Sequence, residues 1–258
     1  MTLKVLLTGG GSGGHLYPLV AVAGELARAL DERGYRADVR YFGSPGAHSH
    51  VLETAGVRIT HITSSKMRTY FDVRNFFEPL RFFWGFLVAL VKVFFFMPHA
   101  AFDKGGPGTL PIALACRFYR IPIVVHESDA VPGRSTRALG KAARIVELAF
   151  AEAAPHFPAG KVRVVGNPVR PDIARAPSLD PIAKAGFGFN PDQPVVLFVG
   201  GSQGAEAFNA FILEHLKPLI EKFQVLHQVG PANFEPYRKE FEFMDSNLPA
   251  EVRYRYSF

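Results

Sequence analysis

Short apolar runs alternate with longer amphipathic segments along most of this chain. The first run, Leu3–Leu7, leads into a glycine-rich turn, and the segment after that turn places its apolar residues at helical spacing. Those residues are Leu16, Leu19, Val20, Ala23, Leu26, Ala27 and Leu30. A short apolar run predicts a strand buried on both faces, whereas this spacing predicts a helix that lies on a sheet and ends at Gly34.

The same alternation continues to about residue 170. Further strands are predicted at Asp38–Phe42, Val57–Ile62, Ala100–Asp103, Pro122–His126, Arg144–Phe150 and Val162–Val165. Helices are predicted between them, near Ser49–Ala55, at Thr109–Tyr119 and after Pro132-Gly133. Strands that alternate with helices indicate a parallel, doubly wound α/β sheet with right-handed crossovers.

A second unit of the same kind follows a linker. Residues 171–193 are rich in Pro, Ala and Asp, which predicts a linker between a domain of residues 1–170 and a domain of residues 194–258. The second domain repeats the order strand, glycine turn, helix, strand, helix, strand. Its predicted elements are Val195–Val199, a helix from Ala205 that Pro218 ends or kinks, Gln224–Val229, Phe234–Phe243 and Glu251–Tyr256.

The second domain is short for its class. It holds about 65 residues, whereas such domains usually take about 100–150 residues. Its last strand would be left as an uncovered edge. We therefore expect the chain to be a fragment, or to be completed by a partner.

One segment, Phe76–Met97, is more apolar than a crossover helix requires. From Phe82 to Met97 only Lys92 is charged, and Pro98 closes a run that is shorter than the ~20 apolar residues of a membrane span. The segment is either a helix buried on both sides or a helix whose apolar outer face dips into a bilayer surface. We favour membrane contact, because one sheet cannot cover so many apolar residues. Nearby cations that would favour an anionic surface are Arg68, Arg74, Arg81 and Lys92.

Composition narrows the class of partner. The chain is 48% hydrophobic and 20% charged, as in ordinary soluble α/β proteins. Its single cysteine, Cys116, excludes an internal disulfide, suits a reducing cytosol and lies in an apolar helix, which predicts a packing role. The net charge of +6 favours anionic partners, which are phosphates, anionic lipid or nucleic acid.

The glycines that follow the first strand predict an anion site. They are Gly9, Gly10, Gly11, Gly13 and Gly14. Glycines let the backbone approach a ligand closely, and the helix that follows presents free N–H groups and the positive end of its dipole. The spacing Gly9-x-Gly11-x-x-Gly14 also fits a dinucleotide fingerprint, but no carboxylate stands at the end of the second strand to hold a ribose. Binding of NAD is therefore a weaker interpretation than an anion site. A tight turn without any ligand is also weaker, because five glycines cost too much chain entropy for a mere connection.

Glycine or polar groups also follow three later strands. These groups are Lys104-Gly105-Gly106-Pro107-Gly108, His126-Glu127-Ser128-Asp129 and Gly166-Asn167-Pro168-Val169-Arg170. Ligands of open α/β sheets bind beyond the carboxyl ends of the strands, so we expect one binding site at this edge.

Four motifs in a fixed order carry a resemblance to a known family. They are TGGGSGGHLYP at Thr8–Pro18, HESDAVPG at His126–Gly133, GNPVR at Gly166–Arg170 and GGSQGA at Gly200–Ala205. Together they resemble the MurG family over essentially the whole chain. Those bacterial enzymes transfer N-acetylglucosamine from UDP-N-acetylglucosamine to the undecaprenyl-pyrophosphoryl-muramoyl peptide of peptidoglycan synthesis. The resemblance implies an inverting enzyme with two Rossmann-like domains facing a cleft (the GT-B type), the second of them incomplete here.

The resemblance implies roles on the acceptor side. Ser12, Gly13 and Gly14 would bind substrate, and Gly11, Gly105 and Gly106 would face the acceptor's pyrophosphate. His15 would be the general base for the acceptor hydroxyl, although a purely structural role at the helix N-terminus stays open. The lipid-borne acceptor would place the enzyme peripherally on the cytoplasmic face of the plasma membrane, through the Phe76–Met97 region.

Further roles concern the donor. Glu127 and Asp129 would sit over the cleft, Arg170 would contact the UDP side, and Ser202, Gln203 and Gly204 would hold the diphosphate. Family members commonly carry HEQN where this chain has HESD, so Asp129 can accept hydrogen bonds from the sugar but cannot donate them. No metal or other cofactor is implied. The family's uracil pocket lies in a later part of the second domain, so we expect this chain alone to be inactive or very weak.

Three other functions are weighed against this one. The chain could be a non-catalytic, membrane-docked subunit of a split glycosyltransferase. An NAD-dependent oxidoreductase is disfavoured by the missing ribose carboxylate. Nucleic-acid binding is permitted by the charge, but the aromatic residues form an apolar run rather than alternating with Arg and Lys, so none is expected.

Overall fold

The structure is a computed structural model that describes residues 1–63, 78–106, 108–174, 181–201, 203–245 and 250–258. The chain divides into two compact units, Met1–Arg175 and Ala176–Phe258. Each unit contains its own parallel sheet. The prediction of an α/β fold with two parallel sheets is confirmed.

The first unit is built on a seven-stranded sheet in which every neighbouring pair is parallel. The strands are β1 (Thr2–Thr8), β2 (Arg36–Gly43), β3 (Arg58–His61), β4 (Ala100–Asp103), β5 (Ile123–Glu127), β6 (Ile145–Leu148) and β7 (Val162–Val164). Their order across the sheet is β3-β2-β1-β4-β5-β6-β7, so the direction of winding reverses between β1 and β4. Ligands of such sheets bind at this switch point.

Helices cover both faces of this sheet. They are α1 (Gly13–Asp31), α2 (Ser49–Thr54), α3 (Glu78–Phe96), α4 (Leu110–Phe118), α5 (Arg134–Ala142) and the short α6 (Pro171–Ala174). One core cluster joins α1 and α2 to β1 and β2 through Leu16, Leu19 and Leu52. The other joins α3, α4 and α5 to the sheet, for example through Val93 and Ile112. The apolar spacing seen in the sequence therefore corresponds to buried helix faces.

The second unit has a three-stranded parallel sheet in the order β10-β9-β8. Its strands are β8 (Val195–Val199), β9 (Gln224–Gln228) and β10 (Tyr256–Ser257). Its helices are α7 (Pro181–Ala185), α8 (Glu206–Glu214), α9 (Leu216–Lys222), α10 (Phe234–Asp245) and α11 (Ala250–Arg253). Ile212, Leu216, Ile220 and Val225 form the centre of its core.

One prediction for the second unit is wrong. The strand expected at Glu251–Tyr256 consists of Tyr256 and Ser257 only, because the residues before it form α11. Alternating polar and apolar residues favoured a strand there, but a helix of one turn satisfies the same short pattern. The predicted break at Pro218 is confirmed: α8 ends at Glu214, four residues before Pro218, whose ring cannot donate to the carbonyl of Glu214 and crowds it, and Pro218 itself lies in the first turn of α9.

Helix α3 has one apolar face that the described part of the chain leaves exposed. The predicted segment began at Phe76, and residues 76 and 77 lie outside the described part of the chain. The exposed apolar side chains of α3 are Leu80, Phe83, Trp84, Leu87, Val91, Phe94 and Phe95. Among the described helices, only α3 is long and apolar enough to cross a membrane, and 22% of its apolar window is buried. The opposite face, with Gly85 and Ala89, is buried.

Two helical glycines provide a test of packing in the first unit. A Cβ at Gly140 would lie 2.4 Å from the ring of Phe157, whereas a Cβ at Gly24 would meet no atom within 4 Å. We expect Gly140→Ala to lower the free energy of unfolding by about 1–3 kcal/mol through overpacking. Gly24→Ala should instead raise it by up to about 1 kcal/mol, because alanine favours the helix. Urea unfolding followed by circular dichroism measures both, and equal effects of the two changes would contradict this packing.

Candidate active site

The turns after β1 and β4 pack against each other at the switch point. The N–H of Gly10 donates a hydrogen bond to the carbonyl of Gly105 (2.9 Å). A Cβ at Gly106, which has φ +104°, would lie 2.9 Å from the backbone nitrogen of Gly10. A Cβ at Gly10 would lie 2.5 Å from the ring of His15. Only glycine therefore allows the two turns and the imidazole to come so close together.

His15 lies between two cavities of this unit. It is the third residue of α1. The helix begins directly after Ser12, and the side chain of Ser12 makes no capping hydrogen bond. A cavity of about 540 Å³ is lined by the turn after β1, by His48 and by the segment after β2. A second cavity, of about 370 Å³, is lined by Gly14, Gly106, Asp129 and other residues of the turns after β4 and β5. The predicted residues of the acceptor side therefore surround two spaces that share the imidazole.

The environment of His15 favours its neutral form. Burial lowers the pKa of His15, and the positive charge of Lys104 lowers it further. The nearby backbone of Lys104 and the charges of Asp129 and Glu127 act in the opposite direction. A neutral imidazole can accept a proton near neutral pH, as a general base must.

Two charged residues at the end of β4, Asp103 and Lys104, are buried. The sequence analysis placed the turn that begins at Lys104 at the binding edge, but it assigned no role to Asp103. Asp103 is fully buried, and one carboxylate oxygen accepts the N–H of Gly105 (2.7 Å) while the other has no partner. Burial raises the pKa of Asp103 to about 7. Lys104 is 3% exposed, and its ammonium donates to the hydroxyl of Ser128. These residues hold the turn that faces His15.

The segment after β5 is organised by Glu127. Its two carboxylate oxygens accept the N–H groups of Asp129 (3.0 Å) and Gly133 (3.2 Å). Glu127 is buried, whereas Asp129 is exposed at the second cavity. The neighbouring His126 is fully buried and bonds to the carbonyl of Gly166 (2.9 Å) through Nε2. Glu127 and His126 therefore shape the segment that presents Asp129.

Arg170 is held against α1. Its guanidinium lies 5.1 Å from the ring centre of Tyr17 and pairs with Asp172 (3.3 Å). The half-buried guanidinium retains a buried Nε without a partner. Another contact that the sequence analysis missed fixes the first glycine turn, because the hydroxyl of Tyr41 on β2 donates to the carbonyl of Gly9 (2.8 Å).

The second glycine turn packs onto the end of β9. A Cβ at Gly204, which has φ +73°, would lie 1.9 Å from the carbonyl oxygen of Val229. Gln203 of this turn is exposed, and Ser202 lies outside the described residues. Beneath the turn, Asn209 donates to Val229 (2.9 Å) and bonds to His227 (3.0 Å), which bonds in turn to the hydroxyl of Tyr256 (2.9 Å).

The predicted site residues thus fall into two groups, one in each unit. The first unit brings together Gly11, Ser12, Gly13, Gly14, His15, Gly105, Gly106, Glu127 and Asp129 around the switch point. Gln203 and Gly204 lie on the turn after β8 in the second unit. Within the described residues, no three His, Cys, Asp or Glu side chains are grouped so that they could hold a metal ion.

Family profiles match both units. The glycosyltransferase family 28 N-terminal domain matches residues 5–147, which is more than half of the chain. The glycosyltransferase family 28 C-terminal domain matches residues 195–256. The chain therefore belongs to the class of glycosyltransferases. Its first unit has a parallel sheet with glycine turns at the switch point, and its second unit has a parallel sheet of the same kind.

Individual relatives narrow this class. Two are named UDP-N-acetylglucosamine–N-acetylmuramyl-(pentapeptide) pyrophosphoryl-undecaprenol N-acetylglucosamine transferase, from Bacillus cereus (enzyme 2) and Clostridium botulinum. They are 33% and 31% identical to this chain, over 95% of it and over 70% and 69% of their own lengths. The crystal structure of MurG from Acinetobacter baumannii is 25% identical with a TM-score of 0.62, over 93% of this chain and 62% of that one. Anabaena HepE in complex with UDP shares the fold, with 15% identity and a TM-score of 0.61 over 99% of this chain and 68% of its own.

The chain belongs to the MurG family of N-acetylglucosaminyl transferases. The predictions of this family, of a glycosyltransferase and of a function in peptidoglycan synthesis are confirmed by its relatives. The four motifs in their fixed order therefore predicted the family correctly, whereas the dinucleotide spacing of the first glycine turn pointed to a different class of protein.

The buried carboxyl of Asp103 generates a prediction about stability and pH. Its pKa is about 7 in the folded chain against an ordinary value of 3.8, so between these values the folded chain binds a proton that the unfolded chain does not. The free energy of unfolding should therefore fall as pH rises through this interval. We expect the free energy of unfolding of Asp103→Asn to increase relative to that of the parent from pH 5 to pH 8. The reason is that Asn still accepts a hydrogen bond from the N–H of Gly105 but never ionises. Urea unfolding at both pH values measures this.

The control for this prediction is Asp31→Asn, which removes one carboxylate at the exposed end of α1. Its stability relative to the parent should be the same at both pH values. A pH-independent difference for Asp103→Asn would show that this carboxyl does not gain a proton on folding.

Proposed function

We propose that this chain transfers N-acetylglucosamine from UDP-N-acetylglucosamine to the undecaprenyl-pyrophosphoryl-N-acetylmuramoyl peptide, with His15 as the general base. The observation that carries the proposal is the position of the imidazole, between two cavities at the switch point of the first sheet. His15 would take the proton of the acceptor hydroxyl as its oxygen attacks the anomeric carbon. The bond from that carbon to the UDP oxygen breaks, UDP leaves with the electron pair, and the anomeric configuration inverts.

The acceptor's pyrophosphate fits the first glycine turn. The N-terminus of α1 has free N–H groups, and its first turn contains no acidic side chain that would repel an anion. Gly11, Gly105 and Gly106 would let the backbone approach the phosphates. Ser12, Gly13 and Gly14 would contribute the hydroxyl and the N–H groups that face the ligand.

The donor would be bound by the remaining predicted residues. Ser202, Gln203 and Gly204 would hold its diphosphate at the start of α8. Arg170, pre-positioned on Tyr17, suits a phosphate of UDP because its guanidinium offers a planar fork of donors. Asp129 would accept hydrogen bonds from the sugar hydroxyls, and Glu127 would serve by holding that segment in place.

The uncovered face of α3 supports peripheral binding to the cytoplasmic surface of the plasma membrane. The lipid-borne acceptor is available only at a bilayer, and an exposed aromatic face would dip into its interface. Trp84 and Phe95 are 62% and 79% exposed. Arg81, at the start of the helix, has an exposed guanidinium that would face anionic headgroups.

A transfer assay tests the proposed reaction. Vesicles that contain the lipid-linked muramoyl-peptide acceptor are incubated with radiolabelled UDP-N-acetylglucosamine and this chain. We expect slow incorporation of label into the lipid fraction, in keeping with the weak activity that the sequence predicts for this chain alone. The rate should be about 10²–10⁴-fold lower still for His15→Gln, because proton transfer by a positioned base contributes about that much. His156→Gln, at an exposed position, is the control and should keep the parental rate.

An unchanged rate for His15→Gln would remove the assignment of the base. Vesicle binding without any transfer by the parent chain would favour the alternative of a non-catalytic subunit in a split glycosyltransferase. Transfer to water rather than to the lipid acceptor would contradict the proposed acceptor.

The membrane proposal has a separate test. We expect the double variant Trp84→Glu, Phe95→Glu to bind vesicles containing phosphatidylglycerol at least about tenfold more weakly, since burying each such side chain contributes about 1.5–3 kcal/mol. The matched control is Ile173→Glu, Phe187→Glu, which changes two other exposed apolar residues. Co-sedimentation measures binding, and an equal loss in both double variants would show that α3 is not the docking surface.

A further inference from the structure

The second cavity at the switch point contains a buried lysine. Lys104 and His15 both line this space of about 370 Å³, together with Ser128 and Asp129. Lysine is rarely buried unless its ammonium is paired. A lysine that is only 3% exposed beside a candidate base therefore calls for a physical explanation.

Lys104 connects three strands of the sheet. Its own position is directly after β4, and its N–H donates to the carbonyl of Thr8 at the end of β1 (2.8 Å). Its ammonium donates to the hydroxyl of Ser128, just after β5. Burial lowers the pKa of Lys104, while the carboxylates of Glu127, Asp129 and Asp103 oppose that effect and favour the ammonium. The side chain is thus fixed at both ends.

Lys104 also balances the charges around His15. The charged groups that face the imidazole are Lys104 from the turn after β4, and Glu127 and Asp129 from the segment after β5. On the side of the other cavity the titratable neighbour is His48. Without the ammonium, two carboxylates would remain to stabilise an imidazolium, which cannot accept a proton.

We propose that Lys104 is a positioning residue of the reaction centre, which fastens the Ser128–Asp129 segment to the turn after β4 and keeps the imidazole of His15 uncharged. The inference rests on the proposed role of His15 as general base. It assigns to Lys104 no contact with substrate. Its effect on transfer passes through the charge state of His15 and the position of Asp129.

Titration of the histidine rings tests this inference directly. The ¹⁵N-labelled full chain is followed by long-range ¹H–¹⁵N correlation spectra, and the signal of His15 is identified by its loss in His15→Gln. Lys104→Met keeps the aliphatic stem and removes the charge, so the titration midpoint of His15 should move to higher pH. Lys104→Arg keeps the charge and should restore the parental midpoint.

A second variant covers the case in which Lys104→Met does not fold. Ser128→Ala removes only the hydroxyl that anchors the ammonium, in a partly exposed segment, and should move the midpoint of His15 in the same direction by less. Lys141→Met makes the same change as Lys104→Met at an exposed position and should leave His15 unaffected. Midpoints that stay at the parental value in both Lys104→Met and Ser128→Ala would overturn the inference, as would an equal shift in Lys141→Met.

The transfer assay separates this inference from the proposed function. In an active chain, the acidic limb of the pH–rate profile should move to higher pH in Lys104→Met and return in Lys104→Arg. A shifted midpoint of His15 in a chain that transfers no sugar would uphold the role of Lys104 and contradict the proposed function. An unshifted midpoint in a chain that does transfer sugar would overturn the role of Lys104 alone.

Discussion

The close approach of two backbone turns at the switch point is the constraint on which the site depends. Gly10 bonds to Gly105, and Gly106 lies where any Cβ would collide with Gly10. The imidazole of His15 fills the remaining space beside them. Because side chains are excluded there, backbone N–H groups, a helix N-terminus and one histidine share a small volume. That combination can bind an anion and move a proton in the same place.

The same crowding governs the electrostatics. Asp103 and Lys104 are both buried at the end of β4, so burial raises the pKa of Asp103 and lowers that of Lys104. Asp103 is bonded to Gly105 within its own turn, and Lys104 is bonded to Ser128 in the segment after β5. The charged groups of this edge therefore form one set, in which the ionisation of any member depends on the others.

Much of the fold was predictable because its strands are short and strongly apolar. The strands Ala100–Asp103 and Val195–Val199 have the predicted bounds, because each ends at a glycine-rich turn. The pattern failed at residues 251–256, where six residues suit a helix turn or a strand equally well. The glycine turns and the motifs indicated the site and its family. The bond of Lys104 to Ser128 was not predictable, because it joins side chains 24 residues apart that only the finished sheet brings together.

The buried chain of hydrogen bonds under the second glycine turn has a direction. Because Asn209 donates its amide to Val229, its Oδ1 is left as the acceptor for His227. The hydrogen of that ring is thereby placed on Nε2, and Nδ1 accepts from the hydroxyl of Tyr256. Three dipoles then point the same way, from the edge strand β10 toward the end of β9. Burial lowers the pKa of His227, which preserves this single tautomer. A second proton on the ring of His227 would force the hydroxyl of Tyr256 to turn around. The direction of this whole series of hydrogen bonds therefore depends on one imidazole remaining neutral.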